Sequence, residues 1–173
     1  MVRVRVCPLI VMTHETRFLP ESTSLSYYLL LSLSTIEGNG IQDLTYDDPQ
    51  IFYLSIHRSI YPWTGKPKEV GNGMNLNISF SKPGMGDAEY AACFSDVVLP
   101  LMNQFKPDIV FIACGLDPVK GDLLGDCGLS PEMFYTMTRS VLEADSVVAC
   151  DIPVVVALEG GYNVEQSADC MGT

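Results

Sequence analysis

Two short runs decide most of what this chain can fold into. Asp108–Ala113 reads DIVFIA and Pro153–Leu158 reads PVVVAL, each close to continuously apolar. A strand with one wet face alternates apolar and polar residues, so unbroken runs suit strands covered on both faces of a parallel sheet. Parallel strands need long crossovers, usually helical, and the sequence contains them. Asp87–Phe105 carries Tyr90, Phe94, Val97, Val98, Leu101 and Phe105 at helical spacing, with Pro100 expected to kink or interrupt it. Ser130 followed by Pro131 is an N-cap and first-turn signature, opening a helix expected to run to about Asp145. Tyr27–Leu33 and Ile51–Ile56 are two further strand-sized runs.

Strand, helix, strand in that order implies right-handed crossovers and an α/β domain of three layers, α/β/α, with a mostly parallel sheet. Ligands in such domains collect outside the carboxyl ends of the strands. Three loops occupy those positions here: His57–Gly65, Gly115–Cys127 and Glu159–Asn163.

Composition narrows the classes. The chain has 173 residues, 47% of them hydrophobic, which excludes a disordered polymer and suits one domain. Ten basic against 21 acidic residues give a net charge of −11, which argues against direct binding of nucleic acid. A basic peptide partner is compatible with that charge, and so is plain solubility. No run approaches the roughly 18 apolar residues of a membrane span. Arg3, Arg5 and Val6–Met12 have the outline of a signal peptide, but the apolar part is short and broken by Pro8. The chain is therefore expected to be intracellular. Its six cysteines form no CxxC pair, so neither a zinc knuckle nor a disulfide framework is expected. Cys93 and Cys114 sit in apolar patterns and are expected as buried thiols. There are only two histidines, His14 and His57. Residues 1–35 begin with alternating Val2, Val4 and Val6 and then lose regularity; no role is assigned to them.

Chemistry concentrates in the strand-end loops. Asp117, just past DIVFIA, is placed either to bind a cation or substrate or to form an Asx-turn ahead of Pro118. In the EGGYN loop, Gly160 and Gly161 let backbone approach a ligand. Tyr162 is placed either to donate to an oxyanion or to pack on the rim. Tyr61, Pro62 and Trp63 form either an aromatic wall or ordinary loop packing.

Four segments then act together: IFYLSIHRSIYPWTG, GDAEYAACFSDVVLP, FKPDIVFIACGLDPVKGDLLGDC and VVVALEGGYN. In this order, from about Glu37 to about Ala168, the chain resembles the histone deacetylase family, class II, HDA1-like branch. The resemblance divides the chain into a non-matching segment, 1–36, and a partial deacetylase-like domain, 37–173. It implies the arginase-like three-layer fold and zinc-dependent hydrolysis of acetyl-lysine on histones or other proteins. Asp117 then corresponds to one of three zinc ligands, and Tyr162 to the oxyanion tyrosine. Tyr61 corresponds to the wall of the acetyl-lysine tunnel, with Gly160 and Gly161 near its floor or mouth. Acetylated protein substrates, corepressor or oligomeric partners, and nuclear or cytoplasmic residence follow from the same resemblance.

The pattern departs from the family at one place. The family's other two zinc ligands form an Asp-x-His unit just before His-Gly-Asn-Gly. Here the turn survives as Glu37-Gly38-Asn39-Gly40, but Ser34 and Ile36 stand in the ligand positions. The family's paired histidines have no counterpart, since His14 has no histidine beside it. His57 matches a histidine in the family that binds no metal. One aspartate does not make a catalytic zinc site, which takes three protein ligands. The expectation is a deacetylase-like chain that holds no complete zinc site and is inactive alone. A truncated or mis-spliced product, a decayed paralogue or a non-catalytic interaction module all suit that pattern. An oxygen-only metal centre built on Asp117, Glu37 and Asp122 is the remaining alternative.

Overall fold

The computed structural model describes the backbone of Arg5–Val6 and the whole of residues 27–172. His14, Cys7 and the start of the valine alternation lie outside the described residues. The strands are β1 (Arg5–Val6), β2 (Tyr28–Leu33), β3 (Ile51–Arg58), β4 (Asn75–Phe80), β5 (Ile109–Gly115) and β6 (Val154–Gly160). All pair in parallel, in the order β1-β6-β5-β2-β3-β4. The helices are α1 (Asn39–Thr45), α2 (Asp87–Cys93), α3 (Leu99–Phe105), α4 (Pro131–Leu142), α5 (Asp145–Cys150) and α6 (Val164–Gly172).

The strand order explains the layers. From β2 through β3 to β4 the chain moves one way across the sheet; from β4 through β5 to β6 it returns and passes its start. Right-handed crossovers run in opposite directions place their helices on opposite faces. So α1 covers one face and α2 to α5 cover the other, giving the α/β/α architecture expected from the pattern.

The two faces differ in chemistry. Leu31, Leu54 and Ile112 are in register and all at most 2% exposed. With Tyr90, Phe94, Met102, Met133 and Met137 they form the apolar core under α2 to α5. The next residues along the same strands, Ser32, Ser55 and Ala113, point the other way, toward α1. There the contacts are polar. Gln42 of α1 accepts from Asn75 and Asn77 of β4 at 3.1 and 2.7 Å and donates to Glu69 at 3.0 Å. This network seats a helix of 7 residues that is too short to be stable by itself.

Four expectations are corrected. Asp87–Phe105 is helical throughout, but a π-helical turn at Phe94–Val98 precedes Pro100 in place of a break. Proline lacks the N–H for the ordinary ladder, and the turn widens so that Leu99 donates to Phe94 five residues back. The helix from Ser130 stops at Leu142; Ala144 is non-helical and Asp145 starts α5. Strand β6 is not covered on both faces along its length, since Leu158 is 54% exposed. Among the described residues, only Arg5–Val6 pair along its outer edge, opposite Val155 and Val156. Of the two expected buried thiols, Cys114 is buried and Cys93 is half-buried. Strand β4 had no continuous apolar run to announce it, because Asn75 and Asn77 alternate with Leu76 and Ile78.

Candidate functional site

Strands β2, β5 and β6 end side by side, and their loops meet at one carboxylate. Asp117 is 1% exposed. Its two oxygens accept from Ser34 Oγ at 2.9 and 3.0 Å. Oδ2 also accepts from the Thr35 N–H at 2.9 Å and from the Thr35 hydroxyl. Ser34 Oγ in turn accepts from the Ile36 N–H at 3.2 Å. A buried carboxylate requires compensation, and here hydroxyls and an amide of the neighbouring strand end supply it.

Glycine makes this approach possible. A Cβ on Gly115 would stand 2.6 Å from Asp117 Oδ1 and 2.8 Å from the Leu33 carbonyl. At Gly125 it would stand 1.7 Å from the Asp117 carbonyl oxygen. Arg58 Nη1 donates to the Gly125 carbonyl at 2.8 Å and pairs with Asp126 at 3.6 Å, tying this loop to β3.

Asp122 joins the β5 and β6 loops. Its Oδ1 accepts from the N–H groups of Leu124 and Gly125 at 2.9 and 3.1 Å; its Oδ2 accepts from Tyr162 and Asn163 at 2.7 and 3.1 Å. Burial pushes this carboxyl up, but the backbone donors outweigh it and hold it below the usual carboxylate range.

Between β2, β5 and β6 lies a cavity of about 180 Å³ lined by Ser32, Ser34, Ile36, Glu37, Gly38, Ile41, Ala113, Glu159, Gly160 and Tyr162. A Cβ on Gly160 would stand 3.7 Å from Asp117 Oδ1 and 3.8 Å from the Tyr162 hydroxyl, so the two groups flank one point. Glu37 is 3% exposed; Oε2 accepts from the Thr64 hydroxyl, and Oε1 has no partner among the described residues. Burial raises its carboxyl above the usual range; the Thr64 bond opposes this, and Glu69 and Asp43 add to it. Burial also raises Glu159.

The sequence-derived residues are not all gathered here. Asp117, Gly160 and Tyr162 converge; Gly161 turns beside them at φ 135°, against Ser167 and Leu116. Tyr61 is outside the cavity lining, 66% exposed, with its ring against Trp63 at 6.0 Å. His57 is buried: Nδ1 meets Ser55 Oγ at 2.9 Å, and Nε2 donates to the Gly65 carbonyl at 3.0 Å. Burial lowers its pKa. Thr35 and Glu159 were not anticipated. No local pattern marks Thr35, whose partner Asp117 is 82 residues away.

The donor set does not suit zinc. Of the positions around Asp117 that the resemblance assigns to ligands, Ser34 is hydrogen-bonded to the carboxylate and Ile36 has no donor atom. Among the described residues, no three histidine, cysteine or acidic side chains cluster as a metal site. The oxygen-only centre considered from sequence is therefore not assembled, and Asp122 is engaged by backbone amides instead.

A parallel three-layer sheet whose strand-end loops converge on a buried aspartate defines an arginase/deacetylase-type domain. The histone deacetylase domain family matches residues 37–173, and the chain belongs to that family. It is 38% identical over 147 residues to histone deacetylase 6 of Caenorhabditis elegans, covering 79% of this chain and 15% of that protein. It is 36% identical over 157 residues to histone deacetylase HDA1 of Saccharomyces cerevisiae, covering 84% and 21%. The chain thus spans less than a quarter of the length of either relative. Two solved structures share the fold at TM-score 0.79: the HDA15 HD domain, 32% identical over 86% of this chain and 43% of that one, and the histone deacetylase Clr3, 34% identical over 84% and 25%.

Proposed function

We propose that this chain is a class II deacetylase-like domain that keeps the family's strand-end pocket without its zinc chemistry, and serves as a non-catalytic interaction module. The family reaction is zinc-dependent hydrolysis of acetyl-lysine on histones or other proteins. One observation carries the reading: both Asp117 oxygens are taken by Ser34, and Thr35 adds its N–H and hydroxyl, where metal ligands belong by resemblance. With no metal to activate water, no hydrolytic step is assigned to Tyr162, and it is proposed as a wall of the binding pocket. Tyr61 and Trp63, exposed together, would meet the backbone flanking a bound side chain. Partners would be proteins presenting lysine side chains, in the nucleus or the cytoplasm. Among the described residues, no helix is long and apolar enough to cross a membrane.

The test pairs metal analysis of the purified chain with turnover of an acetyl-lysine peptide in added zinc. Less than 0.1 zinc per chain and no turnover are expected. Stoichiometric zinc with inhibitor-sensitive hydrolysis would overturn the reading.

A further inference from the structure

The outer edge of β6 is only partly paired among the described residues. In a parallel ladder a residue sends its N–H and C=O to the same neighbour, and the next residue sends both to the other side. The Val110 N–H donates to the Pro153 carbonyl at 3.0 Å, and Val110 is in register with Val154. Pro153, Val155 and Ala157 therefore address β5, whereas Val154, Val156 and Leu158 address the outer edge. There β1 lies opposite Val155 and Val156. The Leu158 N–H and C=O face outward with no partner among the described residues. Past Leu158 the register slips, leaving Glu159 without a β5 residue opposite it, and the Gly160 carbonyl turns back to accept from the Leu116 N–H at 2.9 Å.

Chemistry along the edge selects what completes it. Unpaired N–H and C=O groups are a template for another extended chain, held by main-chain hydrogen bonds and selected by its alternate side chains. Leu158 is 54% exposed. Glu159 is also exposed and belongs to neither ion pair among the described residues, Arg58–Asp126 and Arg139–Glu143. The strand that already pairs here has the matching composition. Strand β1 is Arg5–Val6, the end of an alternating Val2-Arg3-Val4-Arg5-Val6 run. It holds the edge with 2 residues, few enough for a longer strand to displace. A second copy of the chain is the poorer occupant, because it brings its own Glu159 and a net charge of −11 against an equal charge.

We propose that the outer edge of β6, from Val154 to Glu159, is a strand-addition site. It takes one extended segment of a partner protein in which apolar and basic residues alternate, so that an apolar residue meets Leu158 and a basic one meets Glu159. The segment replaces β1 and continues past it. This edge gives the proposed interaction module a partner surface and rests on that reading, but not on the absence of zinc.

The probe is a short capped peptide of alternating valine and arginine, titrated into the full chain. It is compared with a valine–glutamate counterpart and with two versions N-methylated either on every valine or on every arginine. Alternate N–H groups of a strand point to opposite edges, so one methylation pattern should weaken binding at least about tenfold and the other should not. The valine–glutamate peptide should bind at least about tenfold more weakly than the arginine peptide. Amide hydrogen exchange locates the contact. In the free chain Leu158 should exchange nearly as fast as an unstructured amide while Ala157, turned to β5, is protected; saturating peptide should slow Leu158 at least about tenfold. Leu158→Pro removes the outward N–H at an edge position where proline is tolerated, and should abolish binding. Should that variant fail to fold, the two methylated peptides still decide. Protection of Leu158 in the free chain, equal effects of the two methylation patterns, equal binding of the glutamate peptide, or no binding at all would overturn the proposal. So would a concentration-dependent dimer in sedimentation whose formation protects Leu158, since the edge would then belong to a second copy. Zinc content and turnover, measured on the same sample, report separately on the metal reading.

Discussion

The ends of β2 and β5 lie side by side in one register, with Leu33 opposite Cys114, yet they differ in what holds their shape. Past β5, the chain is fixed by backbone fit: Gly115 and Gly125 admit the Asp117 loop at distances no side chain tolerates, and Asp122 collects four amides. Past β2, the backbone keeps its turn into α1, with Ile41 and Gln42 both donating to the Gly38 carbonyl at 3.0 Å. Its side chains do the rest, since Ser34 and Thr35 satisfy Asp117. The comparison teaches that Asp117 is satisfied from the strand end beside it, while its own loop is held by backbone fit. A buried carboxylate needs donors, and hydroxyls on an adjacent strand end suffice.

The largest effect should come from breaking the β5 side. Gly125→Ala puts a methyl 1.7 Å from a carbonyl oxygen, and the loop must move. A loss of about 4 kcal/mol or more is expected in chemical denaturation, in the range that marks steric or packing failure. The matched change past β2, Gly40→Ala, meets nothing within 4 Å and lies inside α1. It should be neutral or stabilising by up to about 1 kcal/mol. Equal losses at both positions would erase the distinction between the two ends.

The second prediction restores chemistry to the β2 side. Ser34→Asp with Ile36→His supplies the two ligand types that the family pattern places there, next to Asp117. The double variant should take up one zinc per chain where the parent takes none. At a hundredfold excess of zinc over Kd the metal should return about 2.7 kcal/mol of stability. A double variant that remains metal-free would show that the frame, and not only the two side chains, has departed from a zinc site.

How legible all this was in the sequence depended on range. DIVFIA and PVVVAL announced β5 and β6 because an apolar run states its own burial. Alternating NLNISF stayed silent because the Asn75 and Asn77 amides find their acceptors outside the strand, in Gln42 more than thirty residues away and in the Glu69 carbonyl. Asp117, Gly160 and Tyr162 were reached from strand ends and motif resemblance, and the structure brings them around one point. The part played by Thr35 was not legible, because a hydroxyl at a strand end says nothing of which carboxylate will face it. Tyr61 shows the reverse case: a residue named by resemblance whose ring lies on the surface against Trp63, outside the cavity lining.

Third in size is the tie between the two retained loops. Asp122→Ala leaves four N–H groups without their acceptor, and water replaces it only in part, so about 2 kcal/mol should be lost. Acid should mimic the substitution. The folded pKa is depressed below the ordinary 3.8, so the contribution is fully present above that value. It is lost as pH falls through the lower, folded one. The variant should therefore show a flatter fall in stability below about pH 4 than the parent. Parallel acid curves would show that the amide cage contributes nothing.

The smallest effect is expected at Glu37, and its sign is the informative part. Its folded pKa is raised above the ordinary 4.5, chiefly by burial. For an acid shifted upward, the folded chain holds its proton longer than the unfolded chain, and stability declines as pH rises from 4.5 through the folded value. Glu37→Gln removes that decline and gives the acidic surroundings of Glu69 and Asp43 an amide donor. At neutral pH the variant should gain about 1 kcal/mol, or roughly 2–4 °C in Tm for a domain of this size. The gain should vanish well below pH 4.5, where both states are protonated. A lower Tm at neutral pH would place Glu37 with Asp117, as a carboxylate whose burial its neighbours already satisfy.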